Sequence, residues 1–263
     1  MTGGDFGRAL AFVRAIDDRS QTRTAPHPWG AALFNEQLPR AWSHNFLRVD
    51  PPASTATAER LAAEADRLQG GAGLAHRSVV VPDDAAGARL APGFEALGWQ
   101  VERLRFMARR RTPHRPARLD TVEELGWPAF RPALEAATRR EHGHEEETIR
   151  QLVDRTVVTA AAVRLRHFGA RVDGQVVSFC DLYSDGRTAQ IESVATSEEH
   201  QGRGLGSAVV LRAAEEAAVA GQDLVFLVAD DDDWPKAWYE RLGFDPVGRT
   251  WTFNRPGPPP TGH

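Results

Sequence analysis

Gln201-Gly202-Arg203-Gly204-Leu205-Gly206-Ser207 sits between an alternating segment, Ala189–Ala195, and an apolar helix-forming segment that runs to about Ala220. Three glycines in five positions let the chain turn sharply and bring its backbone close to a ligand. Gly221 supplies a common helix stop. A turn that opens a helix points the first free N–H groups, and the positive end of the helix dipole, at whatever lies in front of them, which suits a phosphate. Two familiar phosphate motifs fail here. A P-loop needs a lysine after its last glycine, and the chain's only lysine is Lys236. A dinucleotide fingerprint counted from Gly202 needs glycine at 207, where Ser207 stands.

Downstream, Leu224–Val228 is a continuous apolar run of the kind expected for a parallel strand buried on both faces. A helix over Trp234–Leu242 and a strand over Val247–Phe253 follow. Upstream, Asp173-Gly174 is a hairpin signal inside Arg171–Tyr183, and Ser184-Asp185-Gly186 is a second turn. The pattern occurs twice. Phe94-Glu95-Ala96-Leu97-Gly98-Trp99 aligns with Tyr239-Glu240-Arg241-Leu242-Gly243-Phe244, and Val79–Asp84 aligns with Phe226–Asp231 at nearly the same offset. Two matches in the same order point to a tandem duplication.

Gln201-x-x-Gly204-x-Gly206 resembles the Gln/Arg-x-x-Gly-x-Gly/Ala motif of the GNAT acetyltransferase superfamily. Ala237-Trp238-Tyr239-Glu240-Arg241-Leu242-Gly243-Phe244 is similar to that family's Ala-x-Tyr-x-x-x-Gly-Phe segment, and the likeness extends over about 119–255. It implies an α/β (α+β) fold of two tandem GNAT-like domains. Each would be a mixed, mostly antiparallel sheet flanked by helices, with a splayed parallel strand pair (Ile191–Thr196 and Leu224–Val228) in the C-terminal half. It also implies acetyl-CoA as cofactor. Val194 and Thr196 would offer backbone contacts to the pantetheine arm, and Gln201, Gly202, Arg203, Gly204, Leu205, Gly206 and Ser207 would surround the pyrophosphate. Asp233 stands where many members carry Asn, and counts as a further cofactor contact. Tyr239 would protonate the leaving thiolate, and Glu192 would be the general base; the alternative for Glu192 is a carboxylate facing solvent or paired with one of the many arginines.

Two further groups remain open between chemistry and structure. His142-Gly143-His144-Glu145-Glu146-Glu147 is either a solvated acidic helix start or an acceptor-binding segment, with His142 and Glu145 as its binding residues. No third histidine follows at a zinc spacing, so no metal is expected. Cys180 lies in a mostly apolar run and reads as a core residue rather than a nucleophile.

Arg109–Pro116, basic and proline-bearing, reads as an interdomain break. The expected division is a degenerate GNAT-like domain at 1–111, a linker at 112–118, a catalytic domain at 119–255 and a disordered tail at 256–263. The first copy is degenerate because Phe94 replaces the tyrosine and Asp50-Pro51-Pro52-Ala53-Ser54-Thr55-Ala56-Thr57 replaces the glycine turn; prolines carry no N–H to offer a phosphate. The 263 residues carry a net charge of −4, with 15 arginines against 12 acids up to residue 111 and 17 bases against 24 acids beyond it. That argues against a nucleic-acid partner. No apolar run is long enough for a membrane span, and the first twenty residues lack the basic head and apolar core of an export signal. Taken with what the GNAT resemblance implies, the expectation is a cytoplasmic monomer or weak homodimer that acetylates a primary amine on a small molecule. The rivals are a non-catalytic acyl-CoA-binding module and a protein or peptide N-acetyltransferase.

Overall fold

A computed structural model describes Gly4–Gly143 and Glu145–Gly257. In chain order the elements are α1 (Asp5–Ser20), β1 (Arg23–His27), β2 (Gly30–Phe34), β3 (Phe46–Val49), α2 (Ala58–Ala65), β4 (Arg77–Val81), α3 (Asp84–Ala96) and β5 (Gln100–Arg109). There follow β6 (Val122–Leu125), α4 (Trp127–His142), α5 (Glu146–Ala162), β7 (Arg164–Val172), β8 (Gln175–Asp185), β9 (Thr188–Thr196), α6 (Leu205–Val219), β10 (Leu224–Asp230), α7 (Pro235–Arg241) and β11 (Phe244–Arg255). The duplicated order is plain: β3-α2-β4-α3-β5 repeats as β9-α6-β10-α7-β11. The repeated Leu-Gly-aromatic triplet has one physical meaning in both copies. Leu97 and Leu242 end their helices, and Gly98 (φ +75°) and Gly243 (φ +94°) take the left-handed conformation that closes a helix end.

Two compact units form, and they do not follow the single cut expected at 112–118. Among the described residues, one takes residues 4–16, Phe106–Ala229 and Asp233–Val247; the other takes Asp17–Arg105, Asp230–Asp232 and residues 248–257. Thus α1 and the end of β5 join the C-terminal half, and the end of β11 joins the N-terminal half. A hydropathy pattern shows which face of an element is apolar but not which partner covers it. The tail expected to be disordered lies, from Pro258 on, outside the described residues.

In the first of these units the strand order is β5-β10-β9-β8-β7-β6. β6, β7, β8 and β9 pair antiparallel, and β9 pairs parallel with β10. Alternation along β8 sorts its side chains onto two faces. Cys180 and Leu182 pack with Val209, Ala213 and Ala217 of α6, while Phe179 packs with Phe130 and Leu134 of α4 and Ile149 and Val153 of α5. Farther along, α1 covers β5 and β10: Phe6 meets Phe106 edge-on at 5.3 Å, and Phe12 meets Phe226 at 5.7 Å. Phe12 is buried in that cluster with Ala9, Phe106, Val163 and Phe226. Phe12→Ala should therefore destabilise the protein by about 3–5 kcal/mol, read as a lower midpoint in urea unfolding. A change within the range of an exposed substitution would show that α1 is only loosely attached.

The other unit has the order β1-β2-β3-β4-β11, with β3 and β4 parallel. Phe94 is fully buried there, stacked 4.2 Å from Phe253 and 5.0 Å from Trp99. The same unit holds a network centred on buried Asn45. Its side chain donates to the Leu38 and Ala41 carbonyls, and its own carbonyl accepts from Gln69 and meets His76. Burial holds the His76 imidazole down to about 4, so it stays neutral.

Candidate active site

The parallel ladder between β9 and β10 runs from Thr188 opposite Leu224 to Ile191 opposite Leu227 and stops there, although β9 continues to Thr196 and β10 to Asp230. The two strands fork at that point. The fork coincides with a bulge in β9: Phe179 faces Ala195 but Asp181 faces Glu192, so β9 carries one extra residue. Ser193 takes a left-handed φ of +53° there, and such bulges bend a strand and re-aim its side chains. In a regular pleat Glu192 and Val194 would share a face. Here Val194 packs against the α6 core, and Glu192 stays on the face of β8 that carries Asp181 and Tyr183. Beyond the fork, the backbone of Glu192–Thr196 is unpaired with β10 and free to bond a third, extended partner.

Below the fork comes the glycine turn. Gly202 (φ +73°) and Gly204 (φ +81°) are both left-handed, and Gly204 is the N-cap of α6 with no side-chain cap. The first N–H groups of α6 are thus left to a ligand. In the first copy Thr57 caps α2 instead, its side chain accepting from the Arg60 N–H, and β3 ends at Val49 without a fork. Gly206 is packed between Thr196 and Trp238, whose indole donates to Ser207 Oγ at 3.1 Å. Gln201 reaches back to the Thr196 carbonyl at 3.4 Å, and Thr196 Oγ1 lies 2.8 Å from Ser178 Oγ. A cavity of about 690 Å³ opens before this turn, walled by Arg203–Leu205, by Trp238, Arg241 and Leu242, and by the segment His114–Arg118.

On the α5 side of the fork lies a group of enclosed polar side chains. Asp181, 1% exposed, has Oδ1 at 2.6 Å from Nδ1 of His167, whose ring stacks on Phe130 at 4.0 Å. Gln190 donates to Glu192. Burial pushes the Glu192 carboxyl above its ordinary range; the Arg155 guanidinium on α5 and the bonds from Gln190 and the Ser193 backbone oppose this, and the neighbouring Asp181 adds to it. Burial likewise raises Asp181, against the pull of His167. Across the fork, Tyr239 is buried, 4.7 Å from the Trp238 ring and 6.2 Å from Phe244. Burial, then the charge of Glu192, drive its phenol well above the usual value, so it holds its proton.

The sequence profile of the acetyltransferase (GNAT) family matches residues 119–244. The chain carries a GNAT acetyltransferase domain. No curated protein sequence matches it. Solved structures do. A conserved protein of unknown function from Staphylococcus epidermidis superposes with a TM-score of 0.67 at 17% identity, covering 89% of this chain and 93% of its own. A GCN5-related N-acetyltransferase from Kribbella flavida gives 0.57 at 19% identity, with 95% and 96% covered. A tandem GNAT protein of the clavulanic acid biosynthesis pathway gives 0.55 at 19%, with 81% and 75% covered. At these identities the likeness establishes the fold, including its tandem form, and nothing finer.

Within the GNAT domain, the structure places Glu192, Val194 and Thr196 on the splayed strand, Gln201–Gly204 on the turn, Leu205, Gly206 and Ser207 at the start of α6 and Tyr239 on α7. Asp233 precedes α7, where its carboxylate accepts from the Trp234 N–H at 2.7 Å. His142, the last residue of α4, and Glu145, the N-cap of α5, are exposed, and Glu145 is bonded by Thr148 in the first turn of α5; His144 lies outside the described residues. Among the described residues, no three His, Cys, Asp or Glu side chains are placed to hold a metal. Cys180 is fully buried, its thiol donating to the Val209 carbonyl, and burial drives its pKa well up. Sequence reading passed over Asp181, His167 and Arg155, and took His114–Arg118 for a spacer. The one sequence signal for the first group was Asp181 itself, a charged residue within the apolar run of β8.

Proposed function

We propose that this protein is an acetyl-CoA-dependent N-acetyltransferase acting on a primary amine of a small molecule, with one active site per chain, in the GNAT domain. The family's chemistry is acyl transfer from acyl-CoA; a carboxylate base and a phenol acid at the fork suit attack of an amine on its thioester. The observation that carries the reading is the pairing of a carboxylate, Glu192, and a protonated phenol, Tyr239, across strands that part directly above a helix N-terminus without a side-chain cap. Acetyl-CoA, when bound, supplies an acetyl group activated as a thioester.

The residues divide the remaining work. Glu192 takes the proton from the acceptor ammonium, directly or through one water, and its raised pKa brings it closer to that of the amine. The unpaired N–H groups of β9 beyond Ile191 are fixed donors for the negative charge that develops on the acetyl oxygen. Tyr239 gives its proton to the departing sulfur. Arg155 and Asp181 set the charge around Glu192. The first unit encloses the face beside the fork with α1, which fits a small acceptor better than a polypeptide. No helix among the described residues is long and apolar enough to cross a membrane, and a monomer or weak homodimer in the cytoplasm, independent of nucleic acid and membrane, fits this reading.

The test is thiol release from acetyl-CoA in the presence of a panel of primary amines, followed by the pH profile of kcat/KM with the best one. Activity should rise with pH as Glu192 loses its proton. Removing the negative charge of Asp181 lowers the Glu192 pKa, so Asp181→Asn should move the acidic limb to lower pH. Removing the positive charge of Arg155 does the reverse, so Arg155→Gln should move it to higher pH. Acetyl transfer that persists in Glu192→Gln with an unchanged limb would take the base away from Glu192. Tight acetyl-CoA binding without transfer to any amine would favour an acyl-CoA-binding module.

A further inference from the structure

The segment read from sequence as a linker is fastened to the GNAT domain and forms a wall of its cavity. The N–H groups of Arg110 and Arg111 both donate to the Gly243 carbonyl, at 2.9 and 3.1 Å, and the His114 N–H donates to the Arg241 carbonyl at 2.8 Å. The contact is close enough that a Cβ on Gly243 would stand 2.1 Å from the Arg111 carbonyl oxygen. Pro113 limits the backbone between these anchors, and Pro116 limits it just beyond them. Arg111 adds an ion pair to Asp245 at 2.7 Å. The strap is therefore held at the end of α7 and delivers His114–Arg118 to the cavity before the glycine turn.

The lining of that cavity is one-sided in charge. Its basic residues are His114, Arg115, Arg118, Arg203 and Arg241, and no acidic residue is among those that line it. Beyond residue 111 the chain has 24 acids against 17 bases, so such a lining departs from its surroundings. The α6 N-terminus already offers backbone donors for one anionic group, and Arg203 lies on that turn. Arg115, Arg118 and Arg241 belong to the other walls. Among the described residues, the one acidic side chain that meets them is Asp120, loosely, 3.4 Å from Arg118, whose guanidinium is 82% exposed. These walls therefore gather positive charge apart from the α6 N-terminus, where a second phosphate, separate from the pyrophosphate, would be met. Guanidinium groups are suited to a phosphate monoester, which they can grip through paired N–H donors.

Resting on the acetyl-CoA reading above, we propose that Arg115 and Arg118 of the strap, with Arg241, form a subsite for the ribose 3′-phosphate of coenzyme A, so that the protein selects CoA over its 3′-dephospho form. The strap then has two roles: it joins the chain between the repeats, and it reads the nucleotide end of the cofactor.

Calorimetric titration of the full chain with CoA and with 3′-dephospho-CoA tests this without any acceptor. Wild type should bind CoA about tenfold or more tightly than dephospho-CoA at low salt, a difference on the scale of one or two charge-assisted bonds. In the double variant Arg115→Ala/Arg118→Ala the ratio should fall toward one through weaker CoA binding, with dephospho-CoA affinity kept. Arg115→Lys/Arg118→Lys should retain part of the preference. Equal affinities in wild type would overturn the subsite and leave the CoA reading intact. A preference that survives the double alanine variant would overturn the assignment to the strap. No binding of either nucleotide by wild type would remove the acetyl-CoA reading and the subsite with it.

Discussion

Tyr239→Phe is expected to lower kcat by about 10²-fold or more while leaving acetyl-CoA affinity close to wild type. The exchange removes one oxygen from a ring that is otherwise core, packed with Trp238 and Phe244. The hydrophobic contacts survive, and only the proton is lost. A positioned acid typically contributes about 10²–10⁴-fold to a proton-transfer step, and a thiolate leaving group is poor enough at neutral pH to need one when the attacking amine is also a good leaving group. Burial and the Glu192 charge keep the phenol protonated over the working range, so no limb in the pH profile belongs to Tyr239 below the alkaline end. The measurement is steady-state kinetics beside calorimetry on the same preparations. A matching fall in affinity would make Tyr239 a binding residue, and an unchanged kcat would move the acid elsewhere.

Gly204→Glu should weaken acetyl-CoA binding by about 100-fold or more. Nothing lies within 4 Å of a Cβ built on Gly204, so crowding is not the cause. Two other effects act together. Any side chain strains the left-handed backbone (φ +81°), and a glutamate sets a carboxylate among N–H groups awaiting a phosphate, where like charges cost several kcal/mol. Gly204→Asn separates them, because asparagine tolerates left-handed φ and brings no charge. Its binding should stay much nearer to wild type. Equal losses in both variants would assign the effect to backbone strain alone, and full affinity in Gly204→Glu would place the phosphates somewhere else.

The parts of this molecule that sequence made legible are those fixed by local chemistry. Gly202 and Gly204 announce themselves because few residues other than glycine accept such a φ before a helix. Leu97-Gly98 and Leu242-Gly243 give away the duplication because they mark the same helix stop. Leu224–Val228 is readable as a doubly buried strand from its unbroken apolar run. What escaped depends on distant partners. The strap at Arg109–Pro116 has the prolines and the missing periodicity of a spacer, and only the carbonyls of Gly243 and Arg241 turn it into a wall. The facing of Glu192 toward Asp181 depends on the bulge at Ser193, which no residue type signals. Asp181 is tolerated in the interior because His167 and Arg155 lie on neighbouring elements, and neither pairing can be read from spacing along the chain.

The docking of α1 has a consequence for how the protein is made. Arg8 reaches Asp223, a residue 215 positions later, and Phe12 rests on Phe226. During synthesis at about 5–20 residues per second, α1 leaves the ribosome and must wait until β10, whose Phe226 it covers, has been translated before its binding surface exists. Its Phe6, Phe12 and Ile16 are exposed to water and to other chains throughout that interval. Emergence of β10, and not of the first repeat, then sets the moment at which this unit closes. Truncated products that end before β10 should be bound by chaperones or degraded, and moving either repeat alone into another protein would leave an open apolar face behind.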